Sequence, residues 1–177
     1  MHMSEKVKPF NQCPNCGSSD TVFEDNKKFS CRECAFAYFH NVAIAVGVIL
    51  EYTRKIVLIK RAKEPSKGKL DLPGGFVDPN ESAEEAAIRE VKEELMIDIK
   101  ELKYLGSYPN IYKYKDVLYH TCDLFFYCKI DAKPTEFNRT EIEELILISP
   151  LEIPDDKIAF ESVKRGLGLF CILDRTV

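Results

Sequence analysis

Residues Leu72 to Leu95 read LPGGFVDPNESAEEAAIREVKEEL, a glycine-containing turn followed by a segment patterned as a helix. Ser82 and Glu85 stand three residues apart, the spacing of the N-cap and N3 residues in a capping box. The helix that they begin is predicted to run to about Leu95. Its inward-facing residues, at the spacing of one helix face, are Ala86, Ala87, Val91 and Leu95.

Three carboxylates share one patch of this predicted helix. Glu93 and Glu94 follow Glu90 at the i+3 and i+4 positions, so the three side chains are neighbours. A solvated acidic helix is one interpretation, but clustered like charges become favourable around a divalent cation. Ligation by oxygen alone indicates Mg²⁺ or Mn²⁺ rather than zinc. The Gly74 carbonyl, in a turn where the backbone can approach closely, could complete the metal shell.

The spacing of polar residues along the whole segment is more specific. Gly75 is followed after five residues by Glu81, after seven more by Arg89-Glu90-Val91, and after one more by Glu93-Glu94. This pattern resembles the signature of the Nudix hydrolase family over about residues 42–173. The resemblance implies an α/β fold, an α/β/α sandwich around a mixed sheet. It also implies metal-dependent hydrolysis of a nucleoside diphosphate linked to another group, such as NAD(H) or ADP-ribose.

The resemblance further implies roles for individual residues. The ligands of Mg²⁺ or Mn²⁺ would be the Gly74 carbonyl and the carboxylates of Glu90, Glu93 and Glu94. Arg89 and Glu81 would orient these carboxylates. The base that activates water would be Glu90 or a glutamate of a later loop. The loop candidates are Glu141, taken first, and then Glu143 or Glu144.

One position departs from the family pattern. Where the family has glycine, two residues after its last paired glutamate, this chain has Met96. A left-handed helix end suits glycine and costs other residues on the order of 1 kcal/mol. The helix is therefore expected to close in a different way, with no metal ligand lost.

Four cysteines near the N-terminus form two C-x-x-C pairs separated by fourteen residues, which is close to the spacing of a four-cysteine zinc site. They are Cys13, Cys16, Cys31 and Cys34. Disulfides are the alternative, but three further cysteines in apolar surroundings favour a chain of reduced thiols. Those three, Cys122, Cys128 and Cys171, are interpreted as buried thiols without chemistry.

A small zinc-ribbon module is predicted over residues 1–40, ahead of a Nudix domain over residues 41–177. The charge of the ribbon is balanced and it has no basic stripe. These features favour a structural zinc site or a homodimer contact over a nucleic-acid-binding module. A ribbon in this place resembles the layout of bacterial NADH pyrophosphatases. Their Ser-Gln-Pro-Trp-Pro-Phe-Pro motif has only its Ser and first Pro matched here, by Ser107 and Pro109, which makes ADP-ribose comparably good as a substrate.

Tyrosines are crowded in the same region of the sequence. Tyr108 and Tyr112 are the candidates for stacking on a base of the substrate, and edge packing in a strand is the alternative for each.

Hydrophobic patterns and turn residues predict the remaining elements. Ser149-Pro150 is predicted to cap a helical turn. A short hairpin is expected within the ribbon, with strands near 21–24 and 28–30. Further strands are expected over 42–50, 56–59, 102–107, 118–130 and 145–148, a loop over 62–75, and a final helix over 156–172.

Composition and charge limit the functional classes. The chain has 177 residues and a formal net charge of −4, so no global positive field favours nucleic acid. The longest apolar run, Val42 to Leu50, is too short to cross a bilayer, and a cytoplasmic protein with a small nucleotide substrate is expected. A non-catalytic nucleotide sensor or zinc-ribbon interaction protein on the same fold is the rival function, and a diphosphate isomerase is a third option.

Overall fold

The computed structural model describes residues 9–115 and 117–174. A small antiparallel sheet comes first, in the order β1 (Thr21–Glu24), β2 (Lys28–Cys31) and β3 (Ala37–Phe39). The predicted hairpin corresponds to β1 and β2, which are joined by Asp25 and Asn26 at positive φ. The third strand, β3, was not predicted from the sequence. The proposed boundaries of the two modules remain predictions, and residues 1–8, 116 and 175–177 lie outside the described residues.

A second sheet of seven strands follows. It comprises β4 (Ala43–Tyr52), β5 (Lys55–Arg61), β6 (Leu70–Asp71), β7 (Gly74–Phe76), β8 (Lys103–Tyr114), β9 (Val117–Lys129) and β10 (Ile142–Ile148). Five strands lie in the order β10-β5-β4-β9-β8, while β6 pairs with β5 and β7 pairs with β4. The β4–β9 pair is parallel and the other pairs are antiparallel, so the predicted mixed sheet is confirmed.

Two helices pack on this sheet. Helix α1 (Ala83–Leu95) contributes Val91 and Leu95 to one apolar core with residues of β4 and β9. Helix α2 (Glu161–Asp174) contributes to a second core that includes Ile49 and Phe125. The predicted α/β/α sandwich is thereby confirmed. Within the part of the chain that the structure describes, no helix has the length and apolar character needed to span a membrane.

Several predicted boundaries were wrong. The expected loop over 62–75 contains β6 and the start of β7, strands of two and three residues. Strand β6 pairs with β5, which precedes it, and β7 pairs with the more distant β4. Strand β8 extends to Tyr114, and β10 begins at Ile142. The last helix begins at Glu161 because residues Asp155–Lys157 form a separate 3-10 turn. Ser149 precedes the 3-10 turn Pro150–Glu152 but makes no side-chain cap hydrogen bond.

The predictions for the two ends of α1 had opposite outcomes. The capping box is present, because Ser82 Oγ accepts from the Glu85 N–H and the Glu85 carboxylate accepts from the Ser82 N–H. The inward residues Ala86, Ala87, Val91 and Leu95 are all fully buried. The expectation for the other end was wrong. Met96 adopts the left-handed conformation, with φ 56° and ψ 26°, and its N–H donates to the Lys92 carbonyl as an ordinary left-handed cap does.

Candidate active site

Arg89 on α1 connects three of the predicted site carboxylates. Its guanidinium donates to both oxygens of Glu81, at 2.8 and 2.9 Å, and to Glu90 Oε1 at 2.9 Å. It also lies 3.4 Å from Glu93 Oε2 and donates to the Phe76 carbonyl at 3.0 Å. A planar guanidinium presents several donors in fixed directions, so Arg89 sets the positions of these side chains relative to one another.

Glu94 is a buried carboxylate at the end of the same helix. It is 5% exposed, and its Oε2 accepts from the Gly74 N–H at 3.0 Å. Burial raises the pKa of Glu94 well above its usual range. Burial also raises the pKa of Glu90, against the opposing effect of Arg89. Both groups therefore carry a desolvation cost that a neighbouring cation would offset.

The glycine turn is shaped to fit these carboxylates. Gly74 has φ of 150°, and a side chain there would overlap the Val46 carbonyl of the adjacent strand. A Cβ at Gly75 would overlap the carboxylate of Glu90. The missing side chain at Gly74 lets the turn lie against β4, and the missing side chain at Gly75 lets the turn lie against Glu90.

The carboxylate patch fits a divalent cation by the chemistry of its donors. Glu90 and Glu94 are held beside the Gly74–Gly75 backbone, and every candidate ligand atom is oxygen, which suits Mg²⁺ or Mn²⁺. Glu93 is 59% exposed and lies against Arg89, so it would have to turn to join them. Gly74, Glu90, Glu93 and Glu94 are thus the residues that would hold the ion.

A cavity of about 400 Å³ opens beside this patch and brings several predicted residues together. The predicted site residues that line it are Gly74, Glu90, Glu94, Tyr112 and Glu141. Tyr108 is elsewhere: its ring packs against Phe125 and lies under the Arg165 guanidinium, 4.2 Å from the ring centroid.

The three glutamates predicted for a later loop differ in position and surroundings, because Glu141 precedes β10 whereas Glu143 and Glu144 lie on that strand. Glu141 lines the cavity and forms an ion pair of 3.2 Å with Lys63, which also lines it. Glu143 is paired instead with Lys60, at 2.7 Å, and neither Glu143 nor Glu144 is among the cavity residues. Glu141 is also near enough to Glu90 and Glu94 for its charge to contribute to their raised pKa values.

A second group of polar residues lies in the same cavity and was missed from the sequence. Asp71 accepts from Arg61 at 2.8 Å, and burial raises the pKa of Asp71 to about 6. Asp123 accepts from Thr121 and from Ser162. The alternation Thr121, Asp123, Phe125 along a strand was an available signal, because polar residues on a face that also carries a core phenylalanine are unusual.

The four ribbon cysteines form a compact cluster. Their sulfur atoms all lie within 4.8 Å of one another, and the Cys13–Cys34 and Cys16–Cys31 distances are both 3.6 Å. These separations are far longer than a disulfide bond, and the thiols are free. Hydrogen bonds from the Asn15 amide and the Phe36 backbone lower the pKa of Cys34 to about 6. Against a lowering backbone hydrogen bond from Ser18, the hydrogen bond with Cys34 raises the pKa of Cys16, so one proton is shared unequally within the cluster. The cluster is compatible with zinc.

Comparison with known proteins agrees with this geometry. The family described as the NUDIX domain matches residues 17–165. The chain belongs to the Nudix family. Enzymes of this family use divalent metals, which accords with the oxygen donors beside the cavity of this Nudix chain.

Curated relatives of the Nudix chain include two enzymes. It is 39% identical over 109 residues to the ADP-ribose pyrophosphatase of Methanocaldococcus jannaschii, a match that covers 56% of this chain and 63% of that protein. It is 32% identical over 95 residues to the NAD-capped RNA hydrolase NudC of Pseudomonas fluorescens, covering 54% of this chain and 34% of NudC. The matched region therefore spans less than two thirds of either relative.

A solved structure shows the same fold over most of the chain. The crystal structure of a NUDIX hydrolase from Nitrosomonas europaea superposes with a TM-score of 0.61 at 28% identity. The superposition covers 88% of this chain and 87% of that one.

Proposed function

We propose that this Nudix protein hydrolyses the diphosphate linkage of a nucleoside diphosphate joined to another group, with ADP-ribose and NAD(H) as the first substrates to test. The observation that carries the proposal is the meeting of Glu90, Glu94 and Glu141 on one cavity, with Glu90 held by Arg89. The names of the two curated relatives, an ADP-ribose pyrophosphatase and an NAD-capped RNA hydrolase, support the choice of substrates.

The residues have distinct tasks in this proposal. A divalent cation held by Gly74, Glu90, Glu93 and Glu94 would supply charge neutralisation for the diphosphate and make a nearby water more acidic. Arg89 and Glu81 keep Glu90 in place through the hydrogen bonds described above. Lys63, on the cavity wall, offsets charge on the phosphate groups.

Glu141 is the proposed general base. Its carboxylate accepts a proton from the water whose oxygen forms the new bond to phosphorus, while the bond from that phosphorus to the bridging oxygen breaks. The products are two phosphate monoesters. The Lys63–Glu141 ion pair holds the base at the cavity, and contact of Lys63 with a phosphate would free Glu141 for this proton transfer.

The ribbon is proposed to hold one structural zinc ion through Cys13, Cys16, Cys31 and Cys34. Too few large apolar residues lie in this segment to stabilise it by burial alone, so metal binding would supply folding free energy. A cytoplasmic location and a ribbon-mediated homodimer remain predictions.

The test combines a substrate panel with one variant. Purified protein is incubated with Mg²⁺ or Mn²⁺ and with NADH, NAD, ADP-ribose, dinucleoside polyphosphates and nucleoside triphosphates, and the products are separated by chromatography. Glu90→Gln keeps the side-chain volume but removes a charge from the patch, so turnover should fall at least about a hundredfold with the fold intact.

Glu84→Gln is the matched control, since Glu84 lies exposed on the same helix and is not a cavity residue. It should keep full activity. A Glu90→Gln variant within tenfold of the unaltered protein would contradict the metal assignment. Tight nucleotide binding without turnover of any panel member would favour the sensor function instead.

A further inference from the structure

Asp123 is a further buried acidic residue on the cavity, outside the predicted set of site residues. This residue is 8% exposed and lies on β9, beside Ala45 of β4 in the parallel register. Thr121 Oγ1 donates to its Oδ1 at 2.5 Å, and Ser162 Oγ donates to its Oδ2 at 2.6 Å. The two donors come from the same strand and from the first turn of α2, so the carboxylate is held from two sides.

Asp123 differs from its acidic neighbour Asp71 in having no cationic partner. Asp71 is paired with Arg61 at 2.8 Å, whereas no Lys or Arg in residues 9–115 and 117–174 forms an ion pair with Asp123. A carboxylate has about four acceptor positions, and the two hydroxyl groups use one on each oxygen. Burying the remaining positions is costly unless a donor reaches them, and the cavity is the open side.

Aromatic side chains line the same cavity as Asp123. The Tyr112 and Phe160 rings lie 5.7 Å apart at 35°, and Phe76 meets Tyr112 edge-on at 5.4 Å. Ala45, Val46 and Gly47 of the neighbouring strand also line the cavity, and Phe125 packs against Gly47, where a Cβ would lie only 3.1 Å from its ring. Aromatic walls favour a planar heterocycle.

Charge indicates which part of the substrate lies against Asp123. Its carboxylate forms no ion pair with a described Lys or Arg, whereas Lys63 places a positive charge on the cavity wall, so a phosphate group is disfavoured at Asp123 and belongs near Lys63. A carboxylate held as an acceptor binds a group that donates a hydrogen bond. Adenine, guanine and cytosine carry such a donor as an exocyclic amine, and the larger purine rings would cover more of an aromatic wall.

We infer that Asp123 is the residue that selects the base of the substrate, by accepting a hydrogen bond from the exocyclic amino group of adenine or guanine. This inference rests on the proposed function for the position of the diphosphate. Thr121 and Ser162 act as positioning residues that aim the carboxylate. The competing explanation is that Asp123 has only a structural role, in which its hydrogen bond with Ser162 joins α2 to β9 and the substrate base makes no contact with it.

Nucleotide binding tests the inference without requiring cleavage. The affinities of ADP, GDP and IDP are measured by isothermal titration calorimetry in Mg²⁺ for the unaltered protein and for Asp123→Asn. IDP carries a carbonyl where ADP has its amine and lacks the amine of GDP. A hydrogen bond to a charged group contributes enough that the preferred amino-bearing nucleotide should bind about tenfold or more tightly than IDP. In Asp123→Asn this ratio should fall below about threefold.

Glu161→Gln is the matched control. It makes the same acid-to-amide change at an exposed residue of the same turn of α2 that does not line the cavity, so affinity and nucleotide preference should stay those of the unaltered protein. Equal weakening of all three nucleotides by Asp123→Asn would overturn the inference in favour of the structural tie. The affinities of 2′-deoxy-ADP and 3′-deoxy-ADP are measured as well. If Asp123→Asn no longer weakens binding when one of these ribose hydroxyls is missing, the inference is overturned in favour of a ribose contact.

Two further outcomes separate this inference from the proposed function. If the unaltered protein binds IDP as tightly as both ADP and GDP, base selection by Asp123 is overturned, whether or not the variant folds. If the base preference is present and depends on Asp123 but no diphosphate is hydrolysed, the inference stands and the proposed function fails.

Discussion

Arg89 is the residue on which the arrangement of the carboxylates depends. Arg89 donates two hydrogen bonds to Glu81 and one to Glu90. Glu90 lines the cavity, whereas Glu81 does not. The Glu81 carboxylate also accepts from the Asp78 N–H at 3.0 Å, so the loop before α1 is tied to the helix through this pair. Glu81 therefore acts on the site through Arg89 and without contact with the substrate.

The charge of Glu81 should make the stability of the protein depend on pH. Hydrogen bonds from Arg89 and the Asp78 backbone lower the pKa of Glu81 from 4.5 to about 2. Because the folded pKa lies below the unfolded one, the ionised carboxylate stabilises the fold above pH 4.5, and this contribution is lost as the pH falls toward 2. Glu81→Gln should have a lower unfolding free energy than the unaltered protein at pH 7.

Denaturant unfolding at pH 7, 4.5 and 3 checks this prediction. The difference between the unaltered protein and Glu81→Gln should shrink as the pH falls below 4.5. Glu84→Gln, an exposed change on the same helix, should show a small difference at every pH. A difference for Glu81→Gln that stays constant down to pH 3 would mean that its charge is not the cause.

Helix α1 carries Glu90 and Glu94, and its two ends differ in how well their residues suit helix capping. The N-terminus has a complete capping box, which holds the first turn against the loop that leads from Gly75. The C-terminus closes at Met96 in the left-handed conformation that favours glycine. Glu94 lies two residues before this strained position, so the site is built on a helix end that is not optimised for stability.

Replacing Met96 by glycine should stabilise the protein by up to about 1 kcal/mol. Glycine adopts the left-handed conformation without strain, and Met96 is 49% exposed, so little buried surface is lost. The measurement is the midpoint of chemical denaturation at an unchanged slope. Met96→Ala retains a Cβ and should give no such gain. A stabilisation of equal size in both variants would assign the effect to the loss of the methionine side chain.

Considered as a whole, the molecule separates two kinds of metal ligand. The predicted thiolate ligands belong to residues 13–34, around the small sheet, and the predicted carboxylate ligands and the Gly74 carbonyl to residues 74–94, on α1 and β7. Sulfur ligands select zinc, while hard oxygen ligands select Mg²⁺ or Mn²⁺ and leave exchangeable waters. The two parts should therefore lose and regain their metals independently.

Gentle dialysis against EDTA should abolish hydrolysis, and Mg²⁺ or Mn²⁺ alone should restore it while about one zinc per chain remains bound. Metal content by mass spectrometry and activity on the same samples check this. Cys31→Ser, at a buried ribbon position, should lower stability and leave turnover in the folded fraction largely unchanged. Restoration by zinc alone, or a folded Cys31→Ser protein without metal-activated turnover, would place the ribbon in the active site.

Much of the carboxylate patch could be predicted from the sequence because its parts are close along the chain. The Ser82–Glu85 box, the buried face of α1 and the neighbouring Glu90, Glu93 and Glu94 belong to one helix and its cap, whereas the orienting roles of Arg89 and Glu81 were implied by the family resemblance. Helix geometry places such residues relative to one another before any tertiary contact forms. The four cysteines were predictable for a related reason, since their spacing suits two metal-binding turns.

The rest of the cavity was decided by tertiary structure. Asp123 faces Ser162, which is 39 residues away, and Glu141 meets Lys63 across 78 residues. The short strands β6 and β7 exist because β5 and β4 supply their partners. Which glutamate of the later loop lines the cavity depends on the register of β10 with β5. Such choices depend on contacts between distant segments, whose free energy is gained only when the sheet and both helices pack together.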